Sequence, residues 1–354
     1  MTLTEPETET TTTSQPLLSA LNVSCVYAQA GQFGTLSRKR GVRAVDEVTV
    51  DVYQGETLAV VGESGCGKTT LSKLLLGLLP PSSGSIEYRG QDVRKLSRDQ
   101  QQAFRKAVQV VFQDPLSSLN PRKQVRRILG DIVRLWGGKQ SAEAINQRVQ
   151  QVLREVELTP PRLFLERFPH ELSGGQRQRV AIAKAIAVEP QLIVADEPLS
   201  ALDVSVQGQI IELLRRLQAE RGVGYVLISH DLEVVRTVAD RVVVMYLGKV
   251  VESGSVQEVF DAPKHPYTRS LLASVLRADP RAAQERERAL IAGEVPSLAS
   301  IPTGCRFHPR CPVAVDHCKV TEPDATPTPE TTHLVFCHRA DEEGVVEQIE
   351  IPTL

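Results

Sequence analysis

Short apolar runs alternate with longer stretches of helical spacing along most of this chain. TLAVV at 57–61, AVQVVFQ at 107–113, LIVADE at 192–197 and YVLISH at 225–230 read as strands, most of them apolar enough to be buried. LSKLLLGLLP reads as a helix with Leu71, Leu74, Leu75 and Leu78 on one face and Pro80 as its stop. VAIAKAIAVEP reads as a second helix, closed by Pro190. Residues 121–170 lack β signals and keep helical spacing, as from Arg148 to Val156, which predicts a helical insert. LLSALNVSCVYA at 17–28 predicts a first strand, and AVDEVTVDVYQGE at 44–56 alternates like a half-buried one. SGSIEYRG at 83–90 predicts a strand and turn, and RVVVMYLGKVVESGS at 241–255 a closing hairpin. Strand and helix alternating in this way predict a largely parallel α/β sheet. Beyond Ala262 proline becomes frequent, helices shorten, and most cysteine and histidine collects there, so a boundary is placed near residue 262.

The 354 residues are enough for a sizeable hydrophobic core without cross-links. A formal net charge of −2 gives no basic excess of the kind a nucleic-acid binder shows. The loop GQFGTLSRKRGVR concentrates Arg38, Lys39, Arg40 and Arg43, which reads as a solvated loop or as a contact for lipid head groups or a partner. No apolar run reaches eighteen residues, so no span is expected. The Thr- and Glu-rich start, residues 1–18, reads as a disordered tail rather than a signal peptide. A cytosolic setting would keep the six cysteines reduced, and a disulfide framework is their least expected use.

GESGCGKT, residues 62–69, fits G-x-x-x-x-G-K-[ST] between a predicted strand and a predicted helix. Its glycines let successive N–H groups face a phosphate, and the helix start adds its dipole. Lys68 would reach the β- and γ-phosphates, and Thr69 would ligate Mg²⁺. Cys66 reads as a small side chain at a tolerant position. LIVADE ends in Asp196, placed to hold the Mg²⁺ shell, and Glu197, placed to face a water. LSGGQ at 172–176 puts Ser173 and two glycines before a helix, a second anion-binding arrangement.

These motifs, with Gln113, SALD at 200–203 and His230 in order, resemble the ATP-binding subunits of ABC transporters over residues 20–262. The resemblance implies an ATPase with a P-loop ABC-type nucleotide-binding domain, a mixed sheet core plus a helical subdomain. Gly62, Glu63, Ser64, Gly65, Cys66, Gly67, Lys68, Thr69 and Thr70 would hold the phosphates of ATP. Tyr27 would stack on adenine. Gln113 would touch Mg²⁺ and the attacking water, Glu197 would act as general base, and His230 would hold the γ-phosphate. Ser173, Gly174, Gly175 and Gln176 would complete the site of a second ATPase subunit, with Asp203 at the seam. Leu199 and Lys184 depart from common residues of the family without removing a catalytic group.

HPYTRSLLASV at 265–275, and GEVPSL followed by GCRFHPRCP at 293–312, resemble the extension of oligopeptide, dipeptide and nickel importer ATPases, as does DPLSSLNPR after Gln113. This implies a tail at 1–18, a nucleotide-binding domain at 19–262 with its helical subdomain at about 121–175, and a Cys-rich extension at 263–354. It also implies two membrane permease subunits, an extracytoplasmic substrate-binding protein and a second ATPase, a paralogue rather than a copy, at the cytoplasmic face of the membrane. Cys305, Cys311, Cys318 and Cys337 leave three readings open: a [4Fe–4S] cluster, which is favoured; zinc, which usually takes closer cysteine pairs; or packed thiols. Cys25 reads as core. A soluble ABC-type ATPase acting on nucleic acid or ribosomes is the rival function, disfavoured by the single ATPase unit and the near-neutral charge. A module that binds without turnover is the other, disfavoured by the presence of Glu197 and His230.

Overall fold

The computed structural model describes residues 15–28, 41–275, 296–327, 332–340 and 342. Arg38, Lys39 and Arg40 of the basic loop, residues 1–14 of the expected tail and Gly293, Glu294 and Val295 of the GEVPSL motif lie outside them. Arg43 pairs with Asp46 at 2.8 Å.

The strands are β1 (Leu18–Tyr27), β2 (Val42–Val52), β3 (Thr57–Val61), β4 (Ser83–Tyr88), β5 (Gln91–Asp92), β6 (Val108–Val111), β7 (Leu192–Asp196), β8 (Gly224–Ile228), β9 (Arg241–Tyr246), β10 (Lys249–Ser255), β11 (Thr326–Pro327) and β12 (Leu334–Val335). Strands β9, β3, β8, β7 and β6 form a parallel set in that order. Strands β3, β7 and β8 are buried along their whole length, which is why they read as unbroken apolar runs. Successive residues still face opposite ways. Leu58, Val60, Leu192, Val194, Val226 and Ile228 share one core with the second sheet, order β2-β1-β4-β5. Ile193, Ala195, Tyr225 and Leu227 share another core with the helical insert. The insert folds as helices Val125–Trp136, Ala142–Glu155 and Arg162–Leu165.

Two sequence expectations are corrected. The leucine-rich helix spans Lys68–Leu75 and ends before Pro80, because Gly77 turns the chain at φ 63°. Leu71, Leu74 and Leu75 are buried, each stabilising by roughly 1.5–3 kcal/mol, but Leu78 lies beyond the helix and is 62% exposed. The hairpin β9–β10 does not close the sheet. Strand β12 pairs with β10, and β11 with β12, so the C-terminal part extends the same sheet.

A buried carboxylate fixes that arrangement. Glu252 on β10 accepts the N–H groups of Lys264 and His265 at 2.7 and 3.0 Å and lies 2.7 Å from Nε2 of His333. Burial lowers the His265 pKa to about 4, and its Nδ1 accepts the N–H of Tyr267. Tyr246, Tyr267 and Phe307 pack ring on ring, with centroids 4.7–5.4 Å apart, and join β9 to the extension. Among the described residues no helix is long and apolar enough to cross a membrane.

Candidate functional site

The loop between β3 and helix Lys68–Leu75 is shaped by two close approaches. A Cβ at Gly62 would lie 2.2 Å from the carbonyl oxygen of Met245, and one at Gly67 would lie 2.2 Å from that of Ala44. Both glycines also have positive φ, at 146° and 110°. Lys68 is buried, and its ammonium donates to the carbonyls of Gly62 and Glu63 at 2.7 and 3.0 Å. Cys66 is buried beside it, 3.8 Å from Nζ, and burial pushes its thiol pKa up. That favours the inert thiol and agrees with a packing role.

Glu63 behaves differently from the expectation that all of residues 62–70 face phosphate. Its N–H donates to the Tyr267 hydroxyl at 2.8 Å. Its carboxylate takes a two-pronged pair from Arg310, at 2.8 and 3.0 Å. The residue therefore shapes the loop and faces the extension. Tyr267 and Arg310 lie 204 and 247 residues away in sequence, and no local pattern signals either contact.

The other expected groups collect at the C-terminal ends of the parallel strands, where open α/β sheets place their ligands. Thr69 donates to Asp196 at 3.4 Å. Asp196 is buried at the end of β7, and that burial raises its pKa, with the Thr69 hydrogen bond and Lys68 opposing the shift. Glu197 follows at φ 45°, its N–H bound to the carbonyl of Ile228 at the end of β8. The turn aims its carboxylate between two loops. Gln113, after β6, donates to Oε2 at 3.0 Å, and Nδ1 of His230, after β8, lies 3.3 Å from Oε1. Lys184 donates to the carbonyl of Ser118 at 3.0 Å and so ties down the segment that follows Gln113. Tyr27, at the end of β1 and 41% exposed, has its hydroxyl 3.4 Å from that of Thr70.

Ser173 opens helix Gly174–Ile186 with a reciprocal cap. Its hydroxyl accepts the N–H of Gln176, and its own N–H donates to the Gln176 side chain, an arrangement worth about 1 kcal/mol. Gly174 and Gly175 lie against Leu202 and Val206, on either side of exposed Asp203. Among the described residues no hydrogen bond or ion pair joins Ser173–Gln176 or Asp203 to the phosphate loop or Glu197.

The four C-terminal cysteines line one cavity of about 10 Å³, room for a single water at most. Burial raises the thiol pKa of Cys305, pushes that of Cys311 up to about 12 and that of Cys337 up to about 11. All six cysteines are free. Among the described residues no group of three or more His, Cys, Asp or Glu is arranged to hold a metal ion. Four thiols lining one cavity are a donor type that suits a thiolate-bound group, but the cavity is too small for one as it stands.

A family model described as ABC transporter matches residues 45–200, and one described as oligopeptide/dipeptide transporter, C-terminal region, matches residues 251–318. The chain is 47% identical to the oligopeptide transport ATP-binding protein AppF of Bacillus subtilis, over 86% of this chain and 92% of the relative. It is 45% identical to the oligopeptide transport ATP-binding protein OppF of Escherichia coli, over 85% and 89%. Among solved structures, cbiO1 of Clostridium perfringens, part of the cbiONQ ABC transporter complex, superposes with a TM-score of 0.60 at 28% identity, covering 77% of this chain and all of that one. The dimeric ATP-binding cassette MJ0796 bound to ADP and Pi superposes with a TM-score of 0.58 at 28% identity, covering 68% and 98%. With this cassette fold and this similarity along most of its length, the chain belongs to the ATP-binding proteins of ABC transporters, in their oligopeptide transport branch, and is an ATPase.

Proposed function

We propose that this ATPase hydrolyses ATP to drive import of di- and oligopeptides through two membrane permease subunits, from a peripheral position on the cytoplasmic face. The observation that carries the catalytic part is the Glu197 carboxylate, held between Gln113 and His230 beside the phosphate loop. In this reading Gly62, Ser64, Gly65, Cys66, Gly67, Lys68, Thr69 and Thr70 surround the phosphates, with Tyr27 against the adenine. Glu197 takes the proton of the attacking water, Gln113 orients that water, and His230 contacts the γ-phosphate. Thr69, Gln113 and Asp196 would hold Mg²⁺, which neutralises charge on the β- and γ-oxygens when bound.

Among the described residues, Ser173, Gly174, Gly175, Gln176 and Asp203 make no hydrogen bond or ion pair to the phosphate loop of their own chain. They are therefore assigned to the site of a second ATPase subunit, a paralogue of this chain. The cassette MJ0796 is a dimer, which supports a head-to-tail pair. An extracytoplasmic binding protein would deliver the peptide. Cells lacking this chain should take up labelled oligopeptides only at background rate, and the restored chain should recover uptake. Undiminished uptake in its absence would refute the peptide assignment.

Four free cysteines, Cys305, Cys311, Cys318 and Cys337, line one cavity, a donor set that supports a [4Fe–4S] cluster ahead of zinc. At about 10 Å³ the cavity has no room for either as it stands, so the segment would have to open to take one. Bound, it would act as a staple for a region with few strands of its own. Protein purified without oxygen should contain iron and acid-labile sulfide at about four each per chain, with broad visible absorption, lost in each Cys→Ser variant. Zinc in place of iron, or neither metal, would overturn the cluster assignment.

A further inference from the structure

We propose that the C-terminal extension sets the nucleotide affinity of the phosphate loop, with Arg310 and Tyr267 as positioning residues that act through Glu63. The inference rests on the reading of residues 62–70 as the phosphate loop. Every polar group of Glu63 has a partner. Its carboxylate is gripped at both oxygens by Arg310, its N–H donates to the Tyr267 hydroxyl, and its carbonyl accepts from Lys68. Two of these three side-chain partners belong to the extension; within the loop the Glu63 carbonyl also accepts the Cys66 N–H at 3.3 Å. The third is the lysine of the loop itself, so a shift of Glu63 moves a group that Lys68 holds.

The extension side of this contact is buried. Tyr267 is 0% and Arg310 8% exposed. Arg310 also donates to the Tyr246 hydroxyl at 3.3 Å and lies over that ring, 5.8 Å from its centroid. A planar guanidinium against a carboxylate fixes direction as well as distance. The Glu63 side chain is 24% exposed and that of Arg310 only 6%, so removing Glu63 would leave a buried guanidinium without its carboxylate, whereas removing Arg310 would free a partly solvated carboxylate to move.

The anchor points flank the cysteine segment. Arg310 directly precedes Cys311. Arg306 directly follows Cys305 and bonds to Asp46 on β2 and to the carbonyl of Leu247 after β9. Whatever fixes the cysteines therefore fixes two arginines, one on the phosphate loop and one on the neighbouring strand. A loop held this way is preorganised for its ligand, and loosening it should weaken binding.

The test is a titration of the full-length chain with a fluorescent ATP analogue and Mg²⁺, with the thermal unfolding midpoint measured on the same samples. Arg310→Gln and Tyr267→Phe should each weaken the analogue by roughly fivefold or more. Arg310→Lys should recover part of the loss. Arg310→Gln should add little in a Glu63→Gln background, since both changes remove one interaction. Lys68→Ala should abolish binding and so checks the loop itself. If Arg310→Gln does not fold, Tyr267→Phe, which removes one oxygen atom, decides the matter. Affinities within about twofold of wild type in both variants, with binding abolished in Lys68→Ala, would overturn the positioning role. Wild-type affinity in Lys68→Ala would instead remove the phosphate-loop reading, and the proposal with it.

Discussion

Glu197→Gln should lower ATP hydrolysis by roughly 10²–10⁴-fold while ATP still binds. The amide keeps the size of the carboxylate and a carbonyl oxygen toward Gln113, so the loops after β6, β7 and β8 have no steric reason to move. What it loses is the ability to take a proton. The phosphate loop, whose lysine and glycines are untouched, keeps its ligand. The variant should therefore accumulate in the ATP-bound state. Its kcat should fall without a matching rise in the nucleotide dissociation constant, which separates a lost base from lost binding. Hydrolysis near the wild-type rate would remove Glu197 as the base.

Lys68→Ala should abolish measurable ATP binding and hydrolysis together. Lys68 is buried, and its ammonium sits inside the loop on the carbonyls of Gly62 and Glu63. It is a positive charge already carried into a water-poor site and fixed on the backbone that would surround phosphate. Its removal deletes that charge and leaves the Gly62 carbonyl without its donor, while the Glu63 carbonyl keeps only the Cys66 N–H at 3.3 Å. The loop loses its electrostatic match to a polyanion and its internal brace at once. Arginine at the same position would keep the charge but not the compact fit between the two carbonyls, so Lys68→Arg should recover only part of the binding. ATP affinity close to wild type in Lys68→Ala would contradict the phosphate-loop assignment. Equilibrium binding with Mg²⁺-ATP decides it, independently of turnover.

Much of the local structure around the candidate site was legible because its signals are local. TLAVV is β3 from end to end, and GESGCGKT follows it directly. Asp196 ends, and Glu197 directly follows, a strand whose burial follows from its unbroken apolar run. LSGGQ reads as a helix start because Ser173 and Gln176 are spaced for a reciprocal cap.

Other features had no such signal. Helix Arg98–Ala107 is mostly polar and buries only Phe104 and Ala107, so its spacing is too weak to detect. Strands β5, β11 and β12 have two residues each and carry no alternation. Leu78 fits the helical pattern of Leu71 and Leu74, but glycine geometry at Gly77 ends the helix before the pattern does. The grip of Arg310 and Tyr267 on Glu63 is a product of tertiary folding. A Tyr in HPYT and an Arg in HPRC carry no mark of the loop they will meet.

The central claim, that hydrolysis at this site moves peptide, is tested most directly in vesicles. These would hold the chain together with its partner ATPase and the two permease subunits, with peptide-loaded binding protein on the outer side and ATP on the ATPase side. The account predicts that peptide-loaded binding protein stimulates hydrolysis, that labelled peptide accumulates inside, and that both are lost with Glu197→Gln in this chain. Hydrolysis that ignores the loaded binding protein, or peptide accumulation that survives Glu197→Gln, would contradict it.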